Sequence, residues 1–427
     1  MRGAVNTLTS RPKPVGDPEA GARKVEWARA HMPILEEARR RFEAEKPFRD
    51  RRLSLVLHVE AKTAALALAL QAGGGDVRMA ASNPLTTDDD VVAHLLGSGL
   101  ETYAVKGESI AAYREGLEAM FAADPHLIID DGADLVALFL QKEERGDGPT
   151  HRLLGSTEET TTGVVRLRAM ERQGKLRWPV IDVNDAVMKH LFDNRYGTGQ
   201  STLDGIFTAT NLVVAGRTAV VAGYGWCGKG VASRLRGMGA NVIVTEIDAA
   251  KAVEARLEGF RVMRMLDAVR EADFVVTVTG CRDVVRAEHF KVMKDGCCLA
   301  NSGHFDVEIN LEDLKGLSVD RRKARAMVDE YRMADGRRIY VLAEGRLVNL
   351  SAGQGHPVEI MDMSFALQAL SAEHLVKEGE RLPPKVYPVP PSLDEAVARA
   401  ALRAYGADLD ELTEVQKKYL ESWEVGT

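Results

Sequence analysis

The chain has 427 residues, 45% hydrophobic and 28% charged, ordinary values for a globular protein that exclude a disordered chain, a collagen and a coiled-coil rod. At about 150 residues per domain, the length predicts two to three domains. The 56 Lys and Arg against 63 Asp and Glu leave a net charge of −7, which disfavours nucleic acid as a partner. Four cysteines without a C-x-x-C pair give no basis for a disulfide scaffold, a zinc site or a thioredoxin-like motif, so no metal is expected. They fit a reducing, cytoplasmic setting. No apolar run approaches the roughly 20 residues of a membrane span, and no membrane partner is expected.

The opening stretch MRGAVNTLTSRPKPVGDPEAG is polar and punctuated by Pro and Gly, which predicts a mobile leader rather than a signal peptide. Residues 24–46 then read as one long charge-rich helix. LSLVL (53–57) predicts a buried strand and AKTAALALAL a helix stopped by AGGG, the signature of a parallel sheet. The alternation continues with strand 77–81, helix 89–96, strand 102–105, helix 109–122 and strand 126–129. One open α/β sheet is therefore expected over the first 180 residues. His58, Asp130 and Asp131 stand at carboxyl ends of its strands, the edge where open α/β folds hold ligands.

A helix over 204–212 leads into a second α/β run that begins near Thr218 and includes FVVTVTG, GCCLANSG and IYVLAEGRLVNL. After His356 a helix is expected over MDMSFALQALSAEHLVKEG. RLPPKVYPVPPSL (381–393) reads as a linker, and residues 394–419 as a last helix. The whole reads as an α/β protein with two open parallel-sheet domains and a short helical C-terminal tail. The expected division is a substrate domain over 1–199 and 355–388, a Rossmann domain over 200–354 inserted into it, and a linker and tail over 389–427.

The strand TAVVA runs into Gly223-Tyr-Gly225-Trp-Cys-Gly228 and then a helix. With Glu246 lying 21 residues beyond Gly225, close to the roughly 20 expected for a ribose-binding carboxylate, this is a dinucleotide fingerprint. Glycines are needed because a Cβ would hold the pyrophosphate off the helix N-terminus. A carboxylate at the ribose 2′-hydroxyl would repel a 2′-phosphate, which selects NAD over NADP. The same residues match a P-loop up to Gly230, where such a loop needs Ser or Thr for Mg²⁺. A tight turn that binds nothing is the plainest alternative.

Six polar stretches are too concentrated for ordinary loops: SNPLTTDDD (82–90), DDGAD (130–134), STEETTTG (156–163), VNDAVMKHLFDNRYG (183–197), NSGHFDVEI (301–309) and LAEGRLVNLSAGQGHP (342–357). Together with GYGWCGKG they resemble the adenosylhomocysteinase family, nearly block for block, over about residues 50 to 390. The resemblance implies hydrolysis of a nucleoside–homocysteine thioether through a hidden redox cycle. Tightly bound NAD takes hydride from the ribose 3′ carbon, C4′ loses a proton, homocysteine leaves C5′, water adds, and the ketone is reduced again.

The resemblance also assigns residues. Lys189 and Asp193 match the pair at the 3′-hydroxyl, where a desolvated lysine would act as base. Their spacing of four places them on one helix face. His58, Asp131 and His304 match the groups for proton transfer at C4′ and C5′ and for water activation. Glu159 and Asn184 match ribose- and lysine-orienting positions. His356 matches the gating histidine on the homocysteine side, with Leu347, Gln354 and Met361 as further substrate contacts. Thr160, Thr161 and Thr162 match nicotinamide-ribose contacts, and Asn194, Asn301 and Asn349 further cofactor contacts. The family is usually a homotetramer.

Three features depart from the family. Thr198 stands where a cysteine commonly follows FDNxYG, and Gln354 where many members carry Met. The chain ends in LESWEVGT, without the Lys- and Tyr-bearing arm that in many members reaches a neighbour's NAD, which predicts easier cofactor exchange. Two other functions are compatible with the fold: a non-catalytic NAD-binding relative, and a dehydrogenase that produces NADH.

The base pocket is expected at His58-Val-Glu60-Ala-Lys62-Thr63. A lysine only donates and a glutamate only accepts, so Lys62 facing O6 and Glu60 facing N1–H match hypoxanthine rather than adenine. The pattern is similar to the S-inosylhomocysteine-preferring branch of the family, which predicts that compound as the better substrate and the adenosyl compound as a slower one.

Overall fold

The computed structural model describes residues 15–423. Expectations for residues 1–14, most of the predicted leader, lie outside these. The leader's end is ordered: the Asp17 carboxylate accepts from the backbone N–H of Glu19 and caps a helix, Pro18–Ala30. The single helix expected over 24–46 is two, because Pro33 opens a second helix, Pro33–Glu45, and a proline inside a continuous helix would lose a hydrogen bond and clash with the preceding turn.

The first sheet contains β1 (Arg52–Leu57), β2 (Asp76–Ala81), β3 (Glu101–Tyr103), β4 (Leu127–Asp130), β5 (Gly155–Glu158) and β6 (Val180–Asp182). The second contains β7 (Thr218–Ala222), β8 (Asn241–Thr245), β9 (Arg261–Val262), β10 (Phe274–Thr277), β11 (Cys297–Asn301), β12 (Ser318–Arg325), β13 (Val328–Met333) and β14 (Arg338–Leu342). The chain then returns to the first sheet with β15 (Val386–Pro388). The first sheet runs β15-β6-β5-β4-β1-β2-β3, all parallel. Its strands are apolar and buried because helices cover both faces. One core lies between the sheet and the helices Ala61–Ala72 and Val358–Glu378, the other beneath Phe139 and Trp178.

The second sheet runs β12-β13-β14-β11-β10-β7-β8-β9. It is parallel from β14 to β9 but ends in antiparallel pairs β12–β13 and β13–β14, which corrects the expectation of a wholly parallel sheet. The proline-rich segment 381–393 is likewise more than a linker, since it contributes β15. The missing donor of Pro388 is tolerated because the strand lies at the sheet edge. The tail is two helices, Pro391–Ala404 and Glu414–Glu421, separated where Gly406 takes φ +66°.

Three features place the cleft. The chain crosses between the sheets along the helix Thr198–Thr210, longer than expected and preceded by a π-helix, His190–Gly197, a form found mostly at functional sites. The tail helix supplies Asp394, whose carboxylate accepts from the backbone N–H groups of Val187 and Met188 at 2.8 and 2.9 Å and so fixes the turn that carries Lys189. The crossing also packs backbone against backbone: a Cβ on Gly230 would run into the Arg195 carbonyl, and one on Gly199 into Gly230. The residue that spoils the P-loop match is thus the one that lets the helix Trp226–Gly237 meet the π-helix.

Gly230→Ser, which completes the P-loop pattern, should therefore destabilise the protein by about 1–3 kcal/mol through overpacking without conferring nucleoside-triphosphate hydrolysis. Denaturant unfolding and a phosphate-release assay check this, and an unchanged midpoint would contradict the close contact.

Candidate active site

The carboxyl ends of β7 and β8 form the cofactor-side half of the cleft. Gly223 has φ +102°, a conformation L side chains avoid. A Cβ on Gly228 would strike the Gly223 carbonyl, whereas one on Gly225 would point into open space, the gap a pyrophosphate needs beside a helix N-terminus. The Glu246 carboxylate stands at the end of β8. It accepts from Tyr224 N at 2.7 Å through one oxygen, and from Ile247 N and Asp248 N through the other. Half-buried beside the glycine turn, it suits a ribose diol. The donor set fits NAD, as the sequence indicates.

Lys189 lies at the boundary between the sheets, 3% exposed. Its Nζ is 3.1 Å from Asp193 Oδ1 and 3.5 Å from Glu159 Oε1, and it donates to Asn194 Oδ1 at 2.7 Å. Asn194 in turn donates to Asn184 Oδ1 at 3.0 Å, which accounts for the lysine-orienting role expected of Asn184. The i, i+4 pair exists, but Asp193 sits on the π-helix rather than on a regular α-helix. Burial alone would lower the lysine pKa, yet the charges of Asp193 and Glu159 raise it above its ordinary value. The two carboxylates thus favour the ammonium form, whereas desolvation by itself would favour a neutral base. Burial, opposed by Lys189 and reinforced by Asp193, pushes Glu159 up to about 7. Glu159 Oε2 accepts from Gln368 Nε2 at 2.5 Å, a partner on the helix Val358–Glu378 that the sequence did not reveal.

Asp131, His58 and His304 meet as expected. His58 Nε2 is 3.1 Å from Asp131 Oδ2, and His304 Nδ1 is 3.6 Å from Asp131 Oδ1. Ser82 donates to Asp131 Oδ2 at 3.2 Å, and His58 Nδ1 lies 2.7 Å from Thr86 Oγ1, so SNPLTTDDD orients the histidine. Burial lowers the His58 pKa against the opposing charge of Asp131, which favours a neutral, proton-accepting ring. One atom from each of the three lies within 4.8 Å of the others, a spacing a cation could use and one that also suits proton exchange between neighbouring groups. Beneath them lies an acidic floor of Asp130, which the sequence placed at a strand end, and Glu158, which it did not single out. Burial raises Asp130 to about 7, and burial with the charges of Asp130 and Asp131 lifts Glu158 well above the carboxylate range. Glu158 accepts from Gly132 N, Thr160 N and Thr160 Oγ1. The signal was present in consecutive acids at strand ends.

At the expected base pocket, Glu60 and Lys62 form a half-buried pair, Nζ to Oε2 at 2.8 Å. Glu60 also caps the helix Ala61–Ala72 by accepting from Lys62 N and Thr63 N, and Lys62 Nζ donates to the Gln354 carbonyl at 2.9 Å. One ammonium hydrogen of three remains. The Thr63 hydroxyl donates to the His58 carbonyl and accepts from Glu60 N, so it shapes the turn rather than facing a ligand.

The other expected positions divide. Thr160 caps the helix Thr161–Arg172, Thr161 donates to Asn184, and Thr162 approaches Gly280 of the second sheet across the cleft. Asn301 is committed to its own loop: it donates to the carbonyls of Gly303, Phe305 and Gly345, and Gly303 N and Thr277 Oγ1 donate to it. Leu347 bridges to Asn301. The Asn349 amide reaches Ser201 and His356 while its Oδ1 is buried without a partner. Met361 is buried in the helix Val358–Glu378, whereas the Gln354 side chain is exposed. Glu308, within GHFDVEI, accepts from Thr279 N, Thr279 Oγ1 and Gly280 N and shapes the loop after β10.

Comparison with known proteins gives the same family twice. Residues 13–152 match the family model described as S-adenosyl-L-homocysteine hydrolase, and residues 194–355 the one described as S-adenosyl-L-homocysteine hydrolase, NAD binding domain. A protein of Aquifex aeolicus named adenosylhomocysteinase is 56% identical, covering 96% of this chain and 97% of its own. Proteins of Methanocaldococcus jannaschii and Methanopyrus kandleri named S-inosyl-L-homocysteine hydrolase are 51% and 53% identical. They cover 95% of this chain and 97% and 96% of their own.

The raised pKa of Glu159 carries a pH signature. A carboxyl held at about 7 when folded and near 4.5 when unfolded binds more protons in the folded state. Its contribution to stability is therefore full below about pH 4.5 and is lost as pH rises through about 7. Glu159→Gln should flatten the fall in unfolding free energy between those limits, measured by denaturant titration at several pH values. A parallel slope in the variant would refute the assignment.

Proposed function

The chain belongs to the S-adenosyl-L-homocysteine hydrolase family, and from that premise we propose that it reversibly hydrolyses a ribonucleoside–homocysteine thioether to the nucleoside and L-homocysteine, removing a methyl-cycle by-product. The observation that carries the reading is a set of buried acceptor oxygens that take no hydrogen bond, Asp131 Oδ1, Glu159 Oε1 and Asn349 Oδ1, the first two with only a longer ionic contact to His304 and Lys189, in three of the motifs that surround the cleft. Buried oxygens of this kind are expected to be satisfied, and a polyhydroxylated ligand supplies donors. NAD, which Gly223, Gly225, Gly228 and Glu246 would hold, would supply a reversible hydride acceptor for ribose C3′, so that the overall reaction is hydrolysis without net redox.

The residues of the chain divide the proton work. Lys189 is already protonated, so it serves as a relay: it accepts the O3′ proton as it passes one of its own to Glu159 Oε1. Asp193 holds the ammonium in place. The 3′-ketone acidifies C4′–H, and Asp131, poised by His58, removes that proton. The C5′–S bond breaks as homocysteine leaves, with His304 and His58 placed to protonate the thiolate and to activate the water that adds to C5′. His356 guards the homocysteine side. We assign residues 1–199 and 355–388 to substrate and 200–354 to cofactor.

The same reading takes the protein to act on a small molecule in the cytoplasm as a homotetramer, without nucleic acid or membrane. It is supported by the net charge of −7, by the lack among the described residues of a helix long and apolar enough to cross a membrane, and by exposed Leu412, Val415, Leu420 and Trp423 near the C-terminus.

Lys189→Ala should arrest the reaction before ketone formation, so that substrate leaves the bound cofactor oxidised. Asp131→Asn should permit cofactor reduction but slow C4′ proton exchange by about 10²–10⁴. Cofactor absorbance and solvent-deuterium exchange separate the two, and identical arrest points would contradict the division of roles.

For the nucleobase we propose hypoxanthine. The free hydrogen of Lys62 suits O6, and Glu60 Oε1, which takes one backbone hydrogen bond, suits N1–H. Adenine would set donor against donor, and sites built on such bonds discriminate by up to about 10⁴–10⁵. The parent should show higher kcat/KM for S-inosylhomocysteine than for S-adenosylhomocysteine, and Lys62→Glu should narrow the ratio. Equal or better use of the adenosyl compound by the parent would make that compound the main substrate.

A further inference from the structure

Residue 198, a threonine where the family commonly has a cysteine, lies at the meeting point of three elements. Its hydroxyl is 3.1 Å from His356 Nε2 and 3.6 Å from Cys227 Sγ in the glycine-rich turn. The His356 ring packs on the backbone of Gly197, where a Cβ would collide with its Cδ2. Nε2 also lies 3.5 Å from Asp193 Oδ1, and Asp193 receives Lys189 at the same oxygen and the Ser364 hydroxyl at the other, at 2.8 Å. On the far side of the ring, Nδ1 is 3.5 Å from Asn349 Nδ2 and 3.4 Å from Ser201 Oγ.

These neighbours decide the ring hydrogen on the Nε2 side. The Ser201 hydroxyl hydrogen goes to the Gly197 carbonyl at 2.8 Å, so Nδ1 has a partner in either tautomer: it accepts from the Asn349 amide or donates to Ser201 Oγ. Nε2 faces a carboxylate and a hydroxyl and must carry the ring hydrogen. Thr198 then accepts from Nε2–H and has its own hydrogen left for the Cys227 sulfur. Burial, reinforced by Lys189 and Lys62 and opposed by Asp193 and Asp131, lowers the His356 pKa, consistent with a neutral ring. Asp193 is held below the usual carboxylate range, since Lys189 and His356 outweigh its burial.

We propose that Thr198 is a positioning residue: by accepting from His356 Nε2–H and donating to Cys227, it fixes the histidine in its Nε2–H tautomer and ties the Asp193–Lys189 pair to the glycine-rich turn. The cofactor turn and the lysine that handles the O3′ proton are thereby joined through Cys227, Thr198, His356 and Asp193. A cysteine at 198 would offer a weaker acceptor and a longer bond. The threonine makes the histidine's orientation depend on the glycine turn.

The test uses full-length protein labelled with ¹⁵N-histidine, the His356 signals being identified by their loss in His356→Gln. The parent, Thr198→Ser and Cys227→Ser should show the shifts of an Nε2–H ring. Thr198→Val, nearly isosteric, should give a mixture of tautomers. So should Cys227→Ala, which frees the Thr198 hydrogen to turn toward Nε2; with the Ser variants it carries the test should Thr198→Val not fold. In single-turnover reduction of bound cofactor, Thr198→Val should be at least ten-fold slower with KM changed less than three-fold, and Thr198→Ser should restore the rate. A parent with an Nδ1–H ring overturns the tautomer assignment, an unchanged Nε2–H pattern in both Thr198→Val and Cys227→Ala overturns the hold of Thr198 on it, and a tautomer shift with an unchanged rate overturns the positioning role. The kinetic arm rests on the hydrolase reading, so a parent that converts neither thioether refutes that reading, while the spectra still decide this one.

Discussion

A single buried ammonium organises the cleft. Lys189 is held by Asp193 and Glu159 and donates to Asn194. These arrive from two parts of the chain's path: Glu159 from the end of β5, Asp193 and Asn194 from the π-helix that opens the crossing. Removing one partner of a buried ion pair costs about 3–5 kcal/mol, because the survivor is left charged in a medium that solvates it poorly. Elements that must not move are accordingly tied to it. Asp394 caps the turn that carries the lysine, Ser364 holds Asp193, and Gln368 holds Glu159. The return helix Val358–Glu378 thus supplies a partner to both carboxylates.

The carboxylates around this cation have divergent proton affinities. Asp193 is pulled down by Lys189 and His356, whereas Glu159 and Asp130 are pushed up to about 7 by burial. Such a spread within one cleft is what acid–base chemistry at neutral pH requires. It lets one carboxylate anchor the lysine permanently while another exchanges a proton. The second cluster, His58 with Asp131 and His304, repeats the principle with the His58 pKa lowered by burial. Its acidic floor of Asp130 and Glu158 sits where parallel strands end, the position at which exposed main-chain N–H groups can bind carboxylates.

Much of this was legible in the chain. Apolar strands interrupted by glycine-rich turns fixed the two sheets and the crossing because continuous apolar runs and turn chemistry are local properties. The motifs also predicted that His58, Asp131 and His304 would assemble, and that Lys189 would face Asp193. Where the sequence misled, the cause was non-local in all but one case. Proline read as a linker at 381–393 became an edge strand because β6 had an unpaired edge. The antiparallel β12–β13–β14 ribbon has no counterpart in the α/β alternation. Residues 24–46 broke at Pro33, a local signal that the helical charge pattern obscured.

The sequence by itself determined the family and the cofactor class and named the candidate reacting side chains, since these reside in residue types at fixed spacings along continuous segments. Tertiary structure alone decided how those side chains are charged and held. A lysine's proton depends on which carboxylates fold against it, and a histidine's tautomer on a hydroxyl one helix away. The vacancy at Gly230 depends on the carbonyl of Arg195, and the anchoring of Lys189 on an aspartate at position 394. Each is a distance between residues far apart in the chain, and Coulomb and hydrogen-bond energies depend on distance and burial rather than on sequence separation.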